Sequence, residues 1–417
     1  MRPMRHVVCI GLIVLGTSAP AFAQADGASP RPVVTFDGRP TVRIGDIGHV
    51  DFRVKTQADW RDFPAEPTAD PNDAFDLHRA RVGVGGTLLT RVEFQVERDL
   101  RDAARPWRDV FVDVRTVRRV GVQAGHFKIP FGLDQLTSVM DLDFMYRSLA
   151  GAYLTPGRDV GLMVHGRSFG DRLRYQAGAF EQGGDNLRAS ERTDTGTAPT
   201  VAGRVVVKPW AGPETRSPLR SLALGVAFTD GRLPDGPNSL RGKTAFGDPI
   251  FEALYVGGRR VRVGAEVQWR VGPASLQGEF IRAVDQRRGQ GIENEDLPDA
   301  VARGWYVGGT WVVTGERKKD TVKPARPLSF RGYGAVEFVA RAERMALGTD
   351  GLAASYMGPR DTAIPLRADT AWTGGVNWYL NDFARVQVNV VRERREAGVG
   401  LDRGVTWSRL LRLQFGF

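Results

Sequence analysis

The chain has 417 residues, of which 58 are basic and 48 acidic, for a formal charge of +10. Seven of the basic residues are lysines, which leaves 51 arginines, and the only cysteine is Cys9. This composition excludes a disulfide framework, and no apolar stretch past the first residues is long enough for a membrane helix. The arginine excess alone names no ligand, because a GC-rich coding sequence also raises Arg, Gly and Ala.

The N-terminus has the pattern of a secretory signal peptide. Arg2 and Arg5 precede the apolar run from Val7 to Leu15, and Ala21-Phe22-Ala23 has the small-x-small pattern of a cleavage site. We therefore predict a signal peptide at residues 1–23, which would carry Cys9 away. Residues 24–45 are expected to form a short periplasmic lead-in before a barrel at 46–417.

Alternation of apolar and polar residues dominates the rest of the chain. In the segment 260–271, valines, Ala265 and Trp269 take every second position, and Arg, Gly, Glu and Gln take the others. This period of two predicts a strand with one apolar and one polar face. Comparable patterns recur at 50–56, 79–88, 91–98, 110–117, 171–181, 203–208, 221–229, 274–282, 303–313, 333–342, 371–380 and 385–391. Further strands are expected at 120–129, from near Arg158, and at 409–417.

These segments predict an all-β protein, a transmembrane antiparallel β-barrel of about 16 strands. Bacterial single-chain barrels use an even number of strands, so we take 251–271 as one strand bent at Gly257-Gly258. Short turns such as 169–171 and 380–382 contrast with long polar loops such as 183–199 and 343–368, as in barrels with tight periplasmic turns. A soluble β-sandwich has fewer strands.

Aromatic residues mark the ends of the predicted strands. The closing segment "RLLRLQFGF" alternates apolar and polar residues and ends on Phe417, as outer-membrane strands commonly do. Several other aromatic residues fit the girdles at a membrane interface, although each fits a buried position equally well. They are Trp210, Trp269, Trp305, Tyr306, Trp372, Trp378 and Tyr379.

The segment 131–157 should leave the barrel wall on the extracellular side, because the strand before it rises from the short turn at 118–119. It carries several leucines, methionines and aromatic residues, too many for a loop exposed to water. We expect it to fold inward, pack against the lumen wall and narrow the pore as a constriction loop.

Two segments resemble the phosphate-selective porin O/P family. The first is 125–149, "GHFKIPFGLDQLTSVMDLDFMYRSL", which contains the end of the preceding strand and most of this loop, and the second is the following "YLTPGRDVGLMVHGRSFGDRLRYQAGAF". Further matches are "RRVRVGAEVQWRVGPASLQGEFI", "GWYVGGTWVVTGE" and "GGVNWYLND". The resemblance covers nearly the whole chain after the signal peptide. It implies a bacterial outer-membrane porin, usually a trimer, whose third long loop and basic residues guide anions through a constriction.

By the same resemblance, the anion-binding residues are Lys128 in the "FKxPFG" motif, Arg147 in "FMxRS" and Arg158 in "PGR". Strand parity places further basic residues on the lumen face. Carboxylates lie on the same faces, so a polar lumen of mixed charge would also explain these basic residues. These residues are Arg53, Lys55, Arg79, Arg81 and Arg115. Two features depart from the pattern: strict alternation places Lys128 toward lipid, and Tyr146 stands where an acidic residue is common.

No nucleophile elbow, phosphate-binding loop, dinucleotide fingerprint or metal-ligand spacing is found, so we expect no enzyme, cofactor or metal. We expect phosphate or polyphosphate, or other small anions, as cargo, with lipid and lipopolysaccharide as surroundings, a homotrimeric state and no nucleic-acid partner. The alternatives are a general or other-anion porin, a non-conducting structural or adhesive barrel, and a secreted β-rich binding protein.

Overall fold

The computed structural model describes residues 32–36, 38–62, 75–117, 119–181, 198–212, 217–237, 240, 242–244, 249–251, 253–349, 358–397 and 401–417. The predicted signal peptide and residues 24–31 of the predicted lead-in lie outside this range. The rest of the lead-in contains two short strands, β1 (Pro32–Phe36) and β2 (Pro40–Ile44), and β2 pairs with the first residues of the next strand.

Sixteen longer strands follow in the described part of the chain, and each pairs antiparallel with the next. They are β3 (Gly48–Asp62), β4 (Phe75–Leu88), β5 (Val92–Asp99), β6 (Trp107–Val117), β7 (Val120–Lys128), β8 (Arg158–Ser168), β9 (Leu173–Phe180), β10 (Thr200–Val207), β11 (Ala223–Pro237), β12 (Tyr255–Val271), β13 (Ala274–Arg287), β14 (Leu297–Val312), β15 (Ala335–Thr349), β16 (Arg367–Tyr379), β17 (Ala384–Ala397) and β18 (Leu401–Gly416).

The last strand closes the sheet on the first, because residues Arg409 to Gly416 of β18 pair with Asp62 to Lys55 of β3. A closed barrel leaves no unpaired edge, which a spanning sheet requires. The predicted fold class is therefore confirmed. β12 is the strand predicted to bend, and its pairing register with β13 shifts between Gly257 and Arg260.

The predicted two faces are also present. On β8, Val160, Leu162 and Val164 point outward and are exposed, whereas Arg260 and Arg262 of β12 face the lumen and are 1% exposed. Side chains of successive strand residues point to opposite faces, which separates neighbouring aromatic residues. Trp305 and Trp378 are exposed, but Tyr306 and Tyr379 are buried, so of the two positions left open these tyrosines take the buried one.

The two ends of the barrel differ less than expected in the lengths of the connections between their strands. The end with short turns also carries two longer connections, at 208–222 and 313–334. Helix is scarce: α1 (Leu133–Leu136) and α2 (Leu149–Tyr153) lie between β7 and β8, and a 3-10 turn spans Pro218–Ser221. None of the described helices is long and apolar enough to cross a membrane.

The main apolar core lies inside the barrel, not between two sheets. Residues of the segment after β7, among them Phe131, Met145, Leu149 and Leu154, pack together with apolar lumen-facing residues of β13 to β18. The segment that connects β7 to β8 is thus folded into the barrel, as predicted.

Candidate functional site

The inward loop, which we define as residues 131–157, begins where β7 ends. Its first helix is held at the N-terminus by Glu279 of β13, whose carboxylate accepts hydrogen bonds from the backbone N–H groups of Leu133 (2.5 Å) and Asp134 (2.8 Å). Glu343 of β15 likewise accepts from Leu149 at 2.5 Å, at the start of α2. Carboxylates are favourable there because the first N–H groups of a helix have no partner within the helix.

Between the two helices, the loop backbone is held by side chains that point into the lumen from β16, β17 and β18. Asn377 donates to the carbonyl of Asp143 at 2.9 Å, and Gln414 donates to that of Met140 at 3.0 Å. Arg412 donates to the carbonyl of Met145. Buried backbone groups need such partners, so the side chains of these strands fix the position of the loop.

Small residues in the wall allow the loop to come close. A Cβ atom added at Gly304 of β14 would lie 2.9 Å from the Cβ of Ala150, and one at Gly308 would lie 3.3 Å from the ring of Phe144. Gly304 and Gly308 therefore make room for α2 and the loop. The loop therefore packs on the β13 to β18 side of the lumen, and a cavity remains between it and the β3 to β9 wall.

The connection 313–334 supports the loop from the short-turn end. The Lys318 ammonium bonds to the carboxylate of Asp143 in the loop and lies 2.7 Å from the Glu337 carboxylate, and Thr321 donates to Asp141. Burial alone would lower the pKa of Lys318, but the neighbouring Asp143 carboxylate raises it, so the lysine stays charged. We call the contacts of Lys318 with Asp143 and Glu337 the Lys318 brace.

Three cavities lie along the lumen. The outer cavity, of about 460 Å³, lies between the loop and the long-loop ends of the strands. The middle cavity, of about 380 Å³, lies between the loop and the β3 to β9 wall, and the inner cavity, of about 430 Å³, lies toward the short-turn end. Val139 lines both the outer and the middle cavity, and Arg53 lines both the middle and the inner one.

Five basic side chains line the middle cavity, with Asp109 as the only carboxylate among its lining residues. They are Arg53, Lys55, Arg81, Lys128 and Arg158. Three of the five are paired with acids: Lys55 with Glu97, Arg81 with Asp99 and Glu97, and Arg158 with Asp109.

The other two basic groups of the middle cavity bind neutral oxygens. Arg53 donates to the side-chain oxygen of Gln95 at 2.5 Å, and Lys128 donates to three loop carbonyls, the nearest that of Gln135 at 2.7 Å. With Glu97, Asp99 and Asp109 counted, five cations face three anions, so the region keeps a net charge of about +2. Such a cavity attracts anions.

Of the sequence-predicted site residues, the structure brings Arg53, Lys55, Arg81, Lys128 and Arg158 together in the middle cavity. Arg79 and Arg147 line the outer cavity instead. Arg79 donates to the side chain of Gln57, and Arg147 donates to the carbonyl of Thr137 at 2.8 Å. Burial lowers the pKa of Arg147, while the nearby Asp134 carboxylate opposes that effect.

Arg115 lies apart from the other seven. Its side chain is 61% exposed and pairs with Glu93 at 2.6 Å, next to the short turn after β6. Parity predicts the face on which a residue lies, but it does not give the position of that residue along the barrel axis.

The departure expected for Lys128 has a local explanation. β7 ends at Lys128, which is the last residue paired with β8 and lies opposite Arg158. Because regular pairing ends there, the side chain can turn toward the loop carbonyls.

Sequence reasoning missed several lining residues. Asp109 holds Arg158 through two bonds of 3.1 and 2.9 Å, and Gln123 and Gln176 line the middle cavity beside them. All three occupy lumen positions, so alternation would have found them if amides and acids had been searched with the bases. No sequence signal pointed to Lys318, whose contacts arise from a connection with no strand pattern.

A closed barrel of sixteen strands, with an inward loop beside a basic passage, is the architecture of a bacterial outer-membrane porin. Comparison with known proteins agrees: the family model "Phosphate-selective porin O and P" matches residues 50–239 and 243–417. The chain therefore belongs to the phosphate-selective porin O and P family. It is 24% identical over 424 residues to Porin O of Pseudomonas aeruginosa, with 92% of each chain covered.

Solved structures with the same fold are outer-membrane porins of low sequence identity. OmpT of Vibrio cholerae is 15% identical, with a TM-score of 0.56 over 89% of this chain and 98% of that one. An anion-selective porin from Comamonas acidovorans is 11% identical, with a TM-score of 0.54 over 89% of this chain and 100% of that one. At such identities the likeness concerns the fold alone.

Proposed function

We propose that this porin carries small anions across the outer membrane by passive diffusion, with phosphate or polyphosphate as the favoured cargo. The observation that carries the proposal is the middle cavity, where five basic side chains line the space between the loop and the β3 to β9 wall and two of them bind only neutral oxygens. Membership of the phosphate-selective family supports the choice of cargo.

The arrangement suits a phosphate oxyanion in two ways. Guanidinium and ammonium groups are the strongest donors to phosphate oxygens, and Gln95, Gln123 and Gln176 add neutral donors in the same cavity. At the same time, the carboxylates of Asp109, Glu97 and Asp99 hold three of the cations, which limits the affinity. A channel needs binding weak enough for release, so partial neutralisation favours conduction.

The test is single-channel recording of the refolded protein in a planar bilayer. We expect a reversal potential that indicates anion selectivity in a potassium chloride gradient, and block of the chloride current when phosphate is added. In Lys128→Gln, the phosphate concentration for half-block should rise by about tenfold, because the middle cavity loses one of the positive charges that give it its net excess. In the control Arg115→Gln, it should change by less than about twofold, since Arg115 is exposed and remote.

The outcomes separate the alternatives. Anion selectivity without phosphate block would retain an anion porin and reject phosphate as cargo. Cation selectivity would overturn the proposal, and complete absence of conductance would favour a structural barrel. Equal effects of Lys128→Gln and Arg115→Gln would show that the middle cavity does not hold the anion site.

We further propose the roles of the chain segments and the assembly. Residues 1–23 would be the cleaved signal peptide, residues 24–45 the periplasmic lead-in and residues 131–157 the constriction loop of the barrel 46–417. Outward-facing apolar side chains such as Val307 suit contact with lipid, lipopolysaccharide or neighbouring subunits. A homotrimer predicts three times the monomer mass in mild detergent; a monomer mass would reject it.

A further inference from the structure

The outer cavity differs in character from the middle one. Five basic groups line it: Arg61 and Arg79 from β3 and β4, Arg147 from the loop, Lys243 from the connection after β11, and Arg341 from β15. Arg341 is paired with Glu343 at 2.8 Å. Arg61 lies 5.6 Å from the ring centre of Tyr146, and the hydroxyl of Tyr146 donates to Asp59 at 3.1 Å. The tyrosine is thereby fixed beside the cations at the floor of the cavity.

The side of the outer cavity formed by α2 and β16 to β18 contains apolar residues among polar ones. The apolar residues are Leu149 and Tyr153 of α2 and Ala371, Val391 and Leu410 of the strands, and the polar ones are Thr373, Asn389 and Glu393. Ala371, Val391 and Leu410 occupy lumen-facing positions, where the neighbouring residues Thr373, Asn389 and Arg412 are polar. Part of this apolar surface packs against the loop, and the half-buried ring of Tyr153 contributes to the lining.

An inorganic anion would make no use of the apolar residues of this cavity. Phosphate gains from the basic groups, but it gains nothing from apolar side chains and has to shed water beside them. An anion attached to an apolar body gains from both kinds of residue, since ring burial adds to the charge-assisted contacts. The volume of about 460 Å³ lies within the range of small-molecule sites.

We propose that the outer cavity is a binding site for amphiphilic organic anions, namely phosphate esters or carboxylates that carry one ring or a short hydrocarbon chain. The anionic group lies toward Arg61, Arg79 and Arg147, and the apolar body lies against Tyr153, Val391 and Leu410. This inference rests on the proposed function, because it requires a lumen that admits anions. It extends the cargo from inorganic anions to organic ones that the outer cavity selects.

The experiment compares two probes of equal charge that differ by a ring, methyl phosphate and phenyl phosphate, as blockers of chloride current through the refolded porin in planar bilayers. We expect half-block by phenyl phosphate at about a tenfold lower concentration than by methyl phosphate. In Tyr153→Ser, this ratio should fall to about two, while block by methyl phosphate stays nearly unchanged. The lipid-face variant Trp407→Leu is the control and should keep the wild-type ratio.

A second variant tests the same wall in case Tyr153→Ser does not fold. Val391→Thr keeps the side-chain shape while making the wall more polar, and it should lower the ratio in the same direction as Tyr153→Ser. A wild-type ratio near one, or an unchanged ratio in both variants, would overturn the inference while anion selectivity and phosphate block left the proposed function intact. Loss of anion selectivity in the wild-type protein would instead overturn the proposed function itself.

Discussion

Arg158 and Asp109 form a two-bonded ion pair in the middle cavity, and this pair illustrates how single residues set the charge of the passage. Each lumen carboxylate cancels one cation, so the anions matter as much as the arginines. Arg53 and Lys128 keep their charge available because Gln95 and loop carbonyls hold them without neutralising them. The selectivity of the passage therefore depends on the pairing of its bases.

Replacing Asp109 with Asn should strengthen anion binding. Asparagine keeps the shape and one acceptor for Arg158 but removes a negative charge, so phosphate in the middle cavity gains about 1 kcal/mol, or roughly fivefold in half-blocking concentration. The matched control is Asp113→Asn on the same strand, which bonds to His165 at 3.0 Å and does not line the middle cavity. Equal effects of the two variants would contradict a local role for Asp109.

At the scale of elements, the inward loop is positioned by a wall shaped to receive it. Glu279 and Glu343 hold the two helix starts, and Gly304 and Gly308 provide the space. The position of the loop against this wall leaves the middle cavity on the side of β3 to β9. Changes in the wall should therefore alter conductance even when they are far from any basic residue.

Gly304→Leu should displace α2 from the wall. The new side chain meets Ala150 and Leu154, and overpacking of this kind costs about 1–3 kcal/mol. We expect a lower free energy of unfolding in detergent and an altered single-channel conductance. Gly309→Leu is the control on the same strand, because the nearest atom to an added Cβ there is 3.5 Å away on the outer face. Unchanged conductance in Gly304→Leu would mean that the loop does not depend on this contact.

The Lys318 brace should steady the loop from the short-turn end. Lys318→Met leaves the carboxylates of Asp143 and Glu337 buried without their cation, and breaking a buried pair in this way costs about 3–5 kcal/mol. We expect frequent brief transitions between conductance levels in single-channel records. Lys319→Met, at the exposed neighbouring position, should not add such transitions. If neither variant adds transitions, other contacts suffice to hold the loop.

At the scale of the whole molecule, the barrel depends on a continuous apolar outer face. Leu162, in the middle of β8, is 54% exposed on that face. Leu162→Arg should cost about 2–4 kcal/mol in the free energy of unfolding from a bilayer, because a charge near the midplane is poorly solvated. The measurement is denaturant-dependent refolding into vesicles, with Leu162→Phe as the control. A cost below about 0.5 kcal/mol would place Leu162 away from the membrane core.

The sequence by itself determined the sixteen strands, their two faces and the inward loop, because strand alternation and apolar content are local properties that closure of the barrel preserves. By motif and parity it also predicted basic site residues, five of which the structure brings together in the middle cavity. Only the tertiary structure decided which acids pair with these basic residues and where each residue lies along the barrel axis. Asp109 is 49 residues from Arg158 along the chain, and Lys318 is 175 residues from Asp143. The closed barrel and the path of the loop bring such distant residues together, which no local pattern encodes.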